Sequence, residues 1–244
     1  MKLVQFWKDK TPALGLQTPQ GIIDVQAEAA RRGVSAPGDM AQAIALGDTG
    51  LSQLAPLAEG AQCFTQAPAA PVVTQTGRIL CIGLNYRQHA KECCLPLPPA
   101  PGPFCKFSNA LAAHGDAVKL MPDYKEYDYE AELVLVMGEG GRVFACTCGN
   151  DLSVREWQRA SGQWLCGKTY DGFGPIGPYA VDAESLPAGG LGISCRVNGE
   201  LRQHSNTSDL IFSPEELVRY LMPRIPLKAG DVIFTGTPSG VMLG

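Results

Sequence analysis

The sequence predicts an α+β fold, and three observations support this prediction. Near the N-terminus, short apolar runs alternate with turns, as they do in a small sheet. Residues 25–60 then change to a helical period. Further on, apolar runs at 78–84 and 133–137 indicate buried strands. With 244 residues, 45% of them apolar and 18% charged, the chain can bury a full core in one large domain or two unequal ones.

The N-terminal segment has the pattern of a small α/β domain. Three short strands are predicted, at 3–6, 13–16 and 21–24. Two helices are predicted, at 25–32 and 39–46. The second helix has Asp39 as its N-cap and Gly47 as its stop signal. Residues 64–78 are rich in Pro, Ala and Thr and indicate a linker, so we expect a small domain with its linker at 1–73 and a larger domain at 74–244.

A histidine and a glutamate follow the first strand of the second domain. His89 and Glu92 are three residues apart, so they share a face of a helical turn. A carboxylate beside an imidazole orients the ring and raises its basicity, as a general base requires; the alternative is an ordinary surface pair. The proline-rich stretch 95–103 cannot hold a helix or a central strand, so it predicts an extended loop. Its position just after the pair suggests a lid.

Two acidic residues stand at the entrance to the apolar run 133–137. Glu130 and Glu132 are two residues apart, so in a strand their side chains project from the same face. Two neighbouring carboxylates repel, and burying either without a partner is costly, so a divalent cation between them would stabilise the pair. Their oxygen ligands favour Mg²⁺, Mn²⁺ or Ca²⁺ over a softer metal. The alternative is an exposed strand face with two solvated glutamates.

The remaining candidates lie further along the chain. Asp151 is the natural third carboxylate for this pair, although either it or Ser153 could instead cap a short helix. Lys168 lies in a loop punctuated by Gly and Pro at 164–178; near a metal it could stabilise a developing enolate, whereas a surface lysine usually has no such role. Residues 230–240 predict a strand that continues into a Gly/Thr/Ser loop able to bind an anion.

Two short sequence patterns in the last quarter of the chain predict a hairpin and a helix. Asn198-Gly199 between two strand-like runs predicts a hairpin with a type I′ turn. Ser213 before an apolar periodic stretch predicts the N-cap of a helix.

Charge, cysteine content and hydropathy limit the class of protein. The net charge of −4 argues against nucleic acid as the main partner. No apolar run reaches the roughly 18 residues that a membrane span requires. The nine cysteines are odd in number and contain no Cys-x-x-Cys pair, which argues for free thiols rather than a zinc site or a disulfide framework. Since the first residues resemble neither a secretory signal nor a transit peptide, we expect a cytoplasmic protein, with a mitochondrial one as the alternative.

Seven stretches, taken together and in order, resemble the fumarylacetoacetate hydrolase superfamily. They are GLNY at 83–86, HAKE at 89–92, DYEAEL at 128–133, GNDLSVREWQ at 149–158, GKTYD at 167–171, VNGE at 197–200 and GDVIFTGTPSG at 230–240. One such motif would be weak, but the ordered set covers nearly all of 78–240. The start of the chain resembles the small N-terminal domain of the branch that contains fumarylacetoacetate hydrolase domain-containing protein 2.

The resemblance implies a mainly β, roll-like catalytic domain that is usually dimeric, and it implies a role for individual residues. The implied metal ligands, for Mg²⁺ or Mn²⁺, are Glu130, Glu132 and Asp151. The implied catalytic groups are His89 and Glu92, as a dyad on a mobile lid, and Lys168, facing the substrate. The implied substrate-binding residues are Arg155, Gln158 and Thr237. The implied substrate is a small 2-oxoacid or β-dicarbonyl compound, which tautomerisation, decarboxylation or C–C hydrolysis would convert.

Two differences from the superfamily pattern bear on these expectations. Relatives usually have an additional helix and turn between the glycine-rich turn at 138–141 and the Gly-Asn-Asp segment, and they continue with further strands where this chain ends. We therefore expect a β-roll with C-terminal strands missing and an open sheet edge. Two hypotheses follow: a metal-dependent oxaloacetate tautomerase or acylpyruvate-type hydrolase, or an inactive, truncated homologue that acts as a binding or assembly partner.

Overall fold

The computed structural model describes residues 1–242 of the chain. The strands in this part of the chain are β1 (Lys2–Lys8), β2 (Thr11–Thr18), β3 (Gly21–Asp24), β4 (Ile79–Gly83), β5 (Gly102–Lys106), β6 (Leu111–Ala112), β7 (Tyr127–Asp128), β8 (Ala131–Met137), β9 (Val143–Asn150), β10 (Ser153–Val154), β11 (Gly174–Pro175), β12 (Ala180–Asp182), β13 (Gly192–Val197), β14 (Glu200–Asn206) and β15 (Val232–Phe234). The helices are α1 (Val25–Arg32), α2 (Met40–Leu46), α3 (Asp48–Leu54), α4 (Arg87–Glu92), α5 (Arg155–Arg159), α6 (Leu165–Lys168) and α7 (Pro214–Leu221). The prediction of a mainly β fold is confirmed.

One large sheet organises the described residues. Its strand order is β3-β2-β1-β12-β9-β8-β15-β4-β5. The neighbours pair antiparallel, except that β15 runs parallel to β4. The sheet is open, because β3 and β5 stand at opposite ends of this order within residues 1–242. Pro103 lies in the edge strand β5, where a residue without a backbone N–H is tolerated.

The predicted elements of the N-terminal segment are confirmed. Strands β1 to β3 and helices α1 and α2 occur where the sequence predicts them. Asp39 caps α2 by accepting a hydrogen bond from the N–H of Gln42, and Gly47 ends the helix with a φ of 53°. The sequence analysis missed α3, because Gly50 within it is a poor helix former.

The N-terminal strands extend the sheet of the second segment. Strand β1 pairs with β12 through Leu3 and Ala180, and both residues belong to one hydrophobic core cluster. Residues 64–78 lie outside the helices and strands, yet Val72 and Val73 are buried in that same cluster. The division of the chain into two domains at residue 73 therefore stays a prediction, because the large sheet contains strands from both sides of that residue.

The central strands are buried on both faces, which explains their continuous apolar runs. Alternate residues of β8 and β15 enter two separate core clusters. The first cluster contains Val134, Val136, Val232 and Phe234, and the second contains Leu135, Met137 and Ile233. Helix α7 covers the second cluster with Leu217 and Leu221, which lie four residues apart on one face. Ser213 caps this helix in a capping box with Glu216, as the sequence predicts for Ser213.

The connection after β8 is a short turn between paired strands. The N–H of Gly138 donates to the carbonyl of Arg142 over 2.7 Å, and β9 then runs antiparallel to β8 up to Asn150. The hairpin predicted around Asn198-Gly199 is also confirmed, and it spans residues 192–206. The φ values of 52° at Asn198 and 83° at Gly199 fit a type I′ turn.

Two local expectations are wrong. The helix expected to be capped by Asp151 or Ser153 begins later, at Arg155, with Val154 as a cap that makes no side-chain bond. Ser153 lies in β10, which pairs with β7. The predicted loop at 164–178 contains the short helix α6. Among the helices described, none is long and apolar enough to cross a membrane.

Candidate active site

The hairpin of β8 and β9 brings the three predicted acidic residues together. Glu130 immediately precedes β8, Glu132 lies within it, and Asp151 immediately follows β9. Because Ala131 pairs with Asn150, the next residue is carried back beside Glu130, and the N–H of Asp151 donates to the Glu130 carbonyl over 2.9 Å. One carboxylate oxygen from each residue lies within 4.8 Å of the others, and all three side chains are buried.

Buried cations surround this acidic cluster. Lys168 Nζ donates to Glu130 Oε2 over 2.7 Å and to Asp151 Oδ2 over 2.9 Å. Arg155 donates to Glu130 Oε1 over 2.7 Å and to Asp128 Oδ2 over 2.6 Å. Glu130 is thus held from two sides by positive charge. Lys168 therefore contacts two of the three predicted metal ligands.

A second buried lysine, which the sequence analysis missed, supports Asp151. Lys106 Nζ lies 2.5 Å from Asp151 Oδ1 and donates to the carbonyls of Leu152, Lys168 and Phe173. Its side chain is fully buried, so these acceptors replace its hydration. Asp151 Oδ1 makes no contact with good hydrogen-bond geometry, despite this close ion pair. The sequence signal was a lysine between the apolar residues Cys105 and Phe107.

Burial and neighbouring charges shift the pKa values of Glu130 and Glu132 in opposite directions. Burial alone would raise the pKa of Glu130, but Lys168 and Arg155 outweigh burial and lower that pKa to about 2. Burial and the nearby carboxylates of Asp151 and Glu130 raise the pKa of Glu132 well above its ordinary value, against a hydrogen bond from the N–H of Gly236. Of these two glutamates, Glu132 is therefore the one whose ionised form its surroundings stabilise less.

The charge balance and the donor chemistry fit a hard divalent cation. The cluster contains four carboxylates and three cationic side chains, namely Asp128, Glu130, Glu132, Asp151, Lys106, Arg155 and Lys168. The carboxyl group of Glu132 lies beside those of Glu130 and Asp151, which disfavour its ionised form, and Asp151 Oδ1 is a buried acceptor without a hydrogen bond. Buried carboxylate oxygens are the ligands that Mg²⁺ and Mn²⁺ take in proteins. Metal binding by Glu130, Glu132 and Asp151 stays a prediction, and the donor set agrees with it.

The predicted dyad lies on helix α4 and is tied to the C-terminal loop. His89 Nδ1 lies 2.9 Å from Glu92 Oε2, as their helical spacing predicts. The other carboxylate oxygen, Glu92 Oε1, accepts a hydrogen bond from the N–H of Gly240 over 2.9 Å. Gly240 has a φ of 98°, and a Cβ there would lie 2.0 Å from the carbonyl oxygen of Arg202, so this loop requires glycine.

A cavity of about 250 Å³ joins His89 of the dyad to Glu130 and Glu132, whereas Glu92 and Asp151 stand behind its wall. The predicted site residues that line it are His89, Glu130, Glu132, Arg155, Gln158, Lys168 and Thr237. Apolar and aromatic side chains, including Leu95, Phe104 and Trp164, complete the wall. Such a combination of an apolar wall with a few convergent polar groups is typical of small-molecule sites.

The three predicted substrate-binding residues are already engaged with protein groups. Thr237 Oγ1 donates to the carbonyl of Ala131 over 3.0 Å and accepts from Gln203 over 2.8 Å. Gln158 Oε1 accepts from Arg155 over 2.6 Å. The hydroxyl proton of Thr237 would have to leave its backbone acceptor to bind an anionic substrate, so its substrate role stays a prediction. Gln203, which the sequence analysis missed, holds the loop by also donating to the carbonyl of Pro238.

Comparisons with known proteins agree with this architecture. The protein-family model described as fumarylacetoacetate (FAA) hydrolase C-terminal matches residues 78–244. The mitochondrial oxaloacetate tautomerase FAHD2B of Bos taurus is 36% identical, over 99% of this chain and 82% of its own length. The mitochondrial oxaloacetate tautomerase FAHD2A of Homo sapiens is 37% identical, with the same coverage of both chains.

Solved structures give the same result. The fumarylacetoacetate hydrolase of psychrophilic Exiguobacterium antarcticum is 26% identical, has a TM-score of 0.83, and matches 100% of this chain and 89% of its own. The fumarylpyruvate hydrolase of Pseudomonas aeruginosa, solved in complex with Mn²⁺ and pyruvate, is 35% identical, has a TM-score of 0.61, and matches 73% of this chain and 88% of its own. These matches support the mainly β fold with a small helical part.

Proposed function

The chain belongs to the fumarylacetoacetate hydrolase family, and we propose that it is a metal-dependent enzyme that acts on small 2-oxoacid or β-dicarbonyl substrates through an enolate. The observation that carries this proposal is the convergence of Glu130, Glu132, Lys168 and His89 on one cavity. Asp151 stands beside the two glutamates, and Glu92 stands beside the histidine. Related proteins named as oxaloacetate tautomerases, and one named as a fumarylpyruvate hydrolase, support the same class of chemistry.

Glu130, Glu132 and Asp151 would hold Mg²⁺ or Mn²⁺, with Ca²⁺ as a possible substitute. When bound, the ion supplies Lewis-acid polarisation of substrate oxygens and offsets developing negative charge. The chain prepares this position by burying three carboxylates and by bracing two of them with Lys168 and Arg155. A preorganised set of this kind needs little rearrangement when a ligand arrives.

His89 is the group that would move a proton. Glu92 holds Nδ1 of its ring, which leaves Nε2 as the nitrogen that takes or gives a proton at the substrate. The carboxylate of Glu92 is itself fixed by the N–H of Gly240, so the ring orientation is set from outside the cavity. In tautomerisation His89 would transfer a proton of the substrate, and in C–C hydrolysis it would activate water.

Lys168 and Arg155 would balance the charge of the reacting group. Both side chains line the cavity, are buried, and carry positive charge in a setting where water does not screen it. The negative charge of an enolate would develop beside Lys168, which is where a fixed ammonium group lowers the energy of the transition state. Oxaloacetate tautomerisation is the leading reaction, because the two tautomerases match across 99% of the chain. Acylpyruvate-type hydrolysis is the second candidate.

A substrate panel tests the proposal. Enol-oxaloacetate and several acylpyruvates are incubated with the protein after chelation, and again with Mg²⁺ or Mn²⁺, while ultraviolet absorbance follows loss of the enol or β-dicarbonyl. We expect metal-dependent turnover of at least one class. If no substrate is converted and Mn²⁺ does not bind saturably, the alternative of an inactive homologue with a binding or assembly role is favoured instead.

A further inference from the structure

A second group of candidate metal-ligating side chains lies at the C-terminal end of helix α4 and on its C-cap residue, apart from the three acids. His89, Glu92 and Cys93 each offer one ligand atom, and these atoms lie within 4.8 Å of one another. Glu92 and Cys93 follow His89 by three and four residues, so the helical repeat places all three on one face. His89 and Cys93 line the same cavity as Glu130 and Glu132.

The distances in this cluster are close to those that a tetrahedral ion requires. Zinc bonds of about 2.0–2.1 Å to nitrogen, 2.0–2.2 Å to oxygen and 2.3 Å to sulfur imply N···O and N···S separations of roughly 3.4 and 3.6 Å. His89 Nδ1 lies 2.9 Å from Glu92 Oε2 and 3.8 Å from Cys93 Sγ. These two separations therefore differ from the tetrahedral values by about half an ångström or less, and the third, between the ligand atoms of Glu92 and Cys93, is below 4.8 Å.

Hydrogen bonds with backbone groups fix the positions of Glu92 and Cys93. The N–H of Gly240 donates to Glu92 Oε1, the oxygen turned away from His89, and thereby fixes the carboxylate. The N–H of Cys93 donates to the carbonyl of His89 over 3.0 Å, which fixes the backbone of the last ligand. Outer hydrogen bonds of this kind orient metal ligands and raise metal affinity.

The two clusters differ in donor chemistry, and this difference determines which ion each prefers. The acidic cluster offers only oxygen, which suits Mg²⁺ or Mn²⁺, whereas the α4 cluster offers nitrogen, oxygen and sulfur. Imidazole and thiolate together select a softer ion such as Zn²⁺, and a site with three protein ligands leaves a fourth position for water or a substrate oxygen.

We propose that His89, Glu92 and Cys93 form an inhibitory site for Zn²⁺ or a similar soft divalent cation. An ion bound there would occupy the ring nitrogen and the carboxylate of the dyad together, so His89 could no longer be oriented for proton transfer. This regulation rests on the proposed function of the same cavity, but the binding of the ion does not. Inhibition at this site would make the enzyme's activity depend on the ratio of soft to hard divalent cations.

Cobalt absorbance tests the site without any substrate. Co²⁺ is added to the full chain after saturation with Mg²⁺, and the thiolate-to-cobalt charge-transfer band in the near ultraviolet is recorded. We expect the band in the wild type and in Cys94→Ala, which removes the exposed neighbouring thiol, and its loss in Cys93→Ala. A band of equal intensity in Cys93→Ala, or one lost equally in Cys94→Ala, would overturn the proposal.

Zinc inhibition tests the consequence. With saturating Mg²⁺, Zn²⁺ should inhibit the wild type and Cys94→Ala at the same concentration, when each rate is compared with the same variant's rate without Zn²⁺. Cys93→Ala should need at least about tenfold more Zn²⁺ for the same fractional loss, since even outer-sphere changes cost 10–100-fold in metal affinity. Equal inhibition of all three would mean that zinc acts at the acidic cluster, and the inhibitory role would be wrong. If no preparation turns over any substrate, the proposed function fails while the cobalt band still decides the site.

Discussion

Lys106 and Asp151 form an ion pair of 2.5 Å between two side chains that are almost fully excluded from solvent. Lys106 comes from the edge strand β5, and Asp151 follows β9 near the middle of the sheet. The pair therefore joins distant parts of the fold directly behind the acidic cluster. It sets the position of one predicted metal ligand before any ion or substrate is present.

Replacing Lys106 by Met should destabilise the protein strongly. The change leaves the Asp151 carboxylate with less compensation in a buried site, and breaking a buried pair in this way costs about 3–5 kcal/mol. Urea unfolding followed by circular dichroism measures the loss. Lys119→Met, at an exposed lysine, is the matched control and should change the free energy of unfolding by less than about 0.5 kcal/mol. Similar losses in both variants would contradict a special role for the buried pair.

Replacing Glu132 by Gln should weaken Mn²⁺ binding by at least about 100-fold, because a direct ligand should matter more than the outer-sphere groups whose loss costs 10–100-fold. The substitution keeps the shape of the side chain and removes a carboxylate whose ionised form its surroundings stabilise less than that of Glu130. Calorimetric titration with Mn²⁺ measures the change, and Glu126→Gln, at an exposed glutamate, serves as control. Unchanged affinity in Glu132→Gln would remove this residue from the proposed ligand set.

Replacing His89 by Asn should separate catalysis from metal binding. If His89 moves the proton, turnover should fall by about 10²–10⁴-fold, which is the usual contribution of a general acid or base. Mn²⁺ affinity should stay at the wild-type value, since His89 belongs to a different cluster from the three acids. Turnover that equals the wild type on every active substrate would show that another group carries the proton.

The pH dependence of stability should show the effect of Glu28, which does not line the cavity. Hydrogen bonds from Arg31, with those from Arg32, overcome the opposing effect of burial and lower the pKa of Glu28 to about 2. Because the folded pKa lies below the unfolded value of about 4.3, the stabilisation is present above pH 4.3 and is lost as the pH falls towards 2.

Thermal unfolding of the wild type and Glu28→Gln at several pH values measures this effect. The wild type should be more stable than the variant near neutral pH, and the difference should shrink as the pH falls from about 4 to about 2. Glu59→Gln, at an exposed glutamate, should follow the wild type throughout. A difference that stays constant over this range would show that Glu28 acts through packing rather than through its charge.

Local patterns predicted much of the fold, because each had a short-range physical cause. The turn at Asn198-Gly199 follows from two residues that tolerate positive φ, and the start of α7 follows from the capping box of Ser213. The shared face of Glu130 and Glu132 follows from the strand repeat, and the contact of His89 with Glu92 follows from the helical repeat. Helix α3 was missed because its internal Gly50 weakens the local signal.

The sequence by itself determined which residue types are available to the site and how neighbours within one element are oriented, because these depend on backbone repeats of a few residues. Only the tertiary structure decided how the elements combine: that Lys106 pairs with Asp151, that Lys168 holds two of the acids, and that the hydroxyl of Thr237 is bound to a strand carbonyl. Such contacts join residues far apart in the chain. Long-range packing and charge compensation select their partners, and no local pattern specifies either.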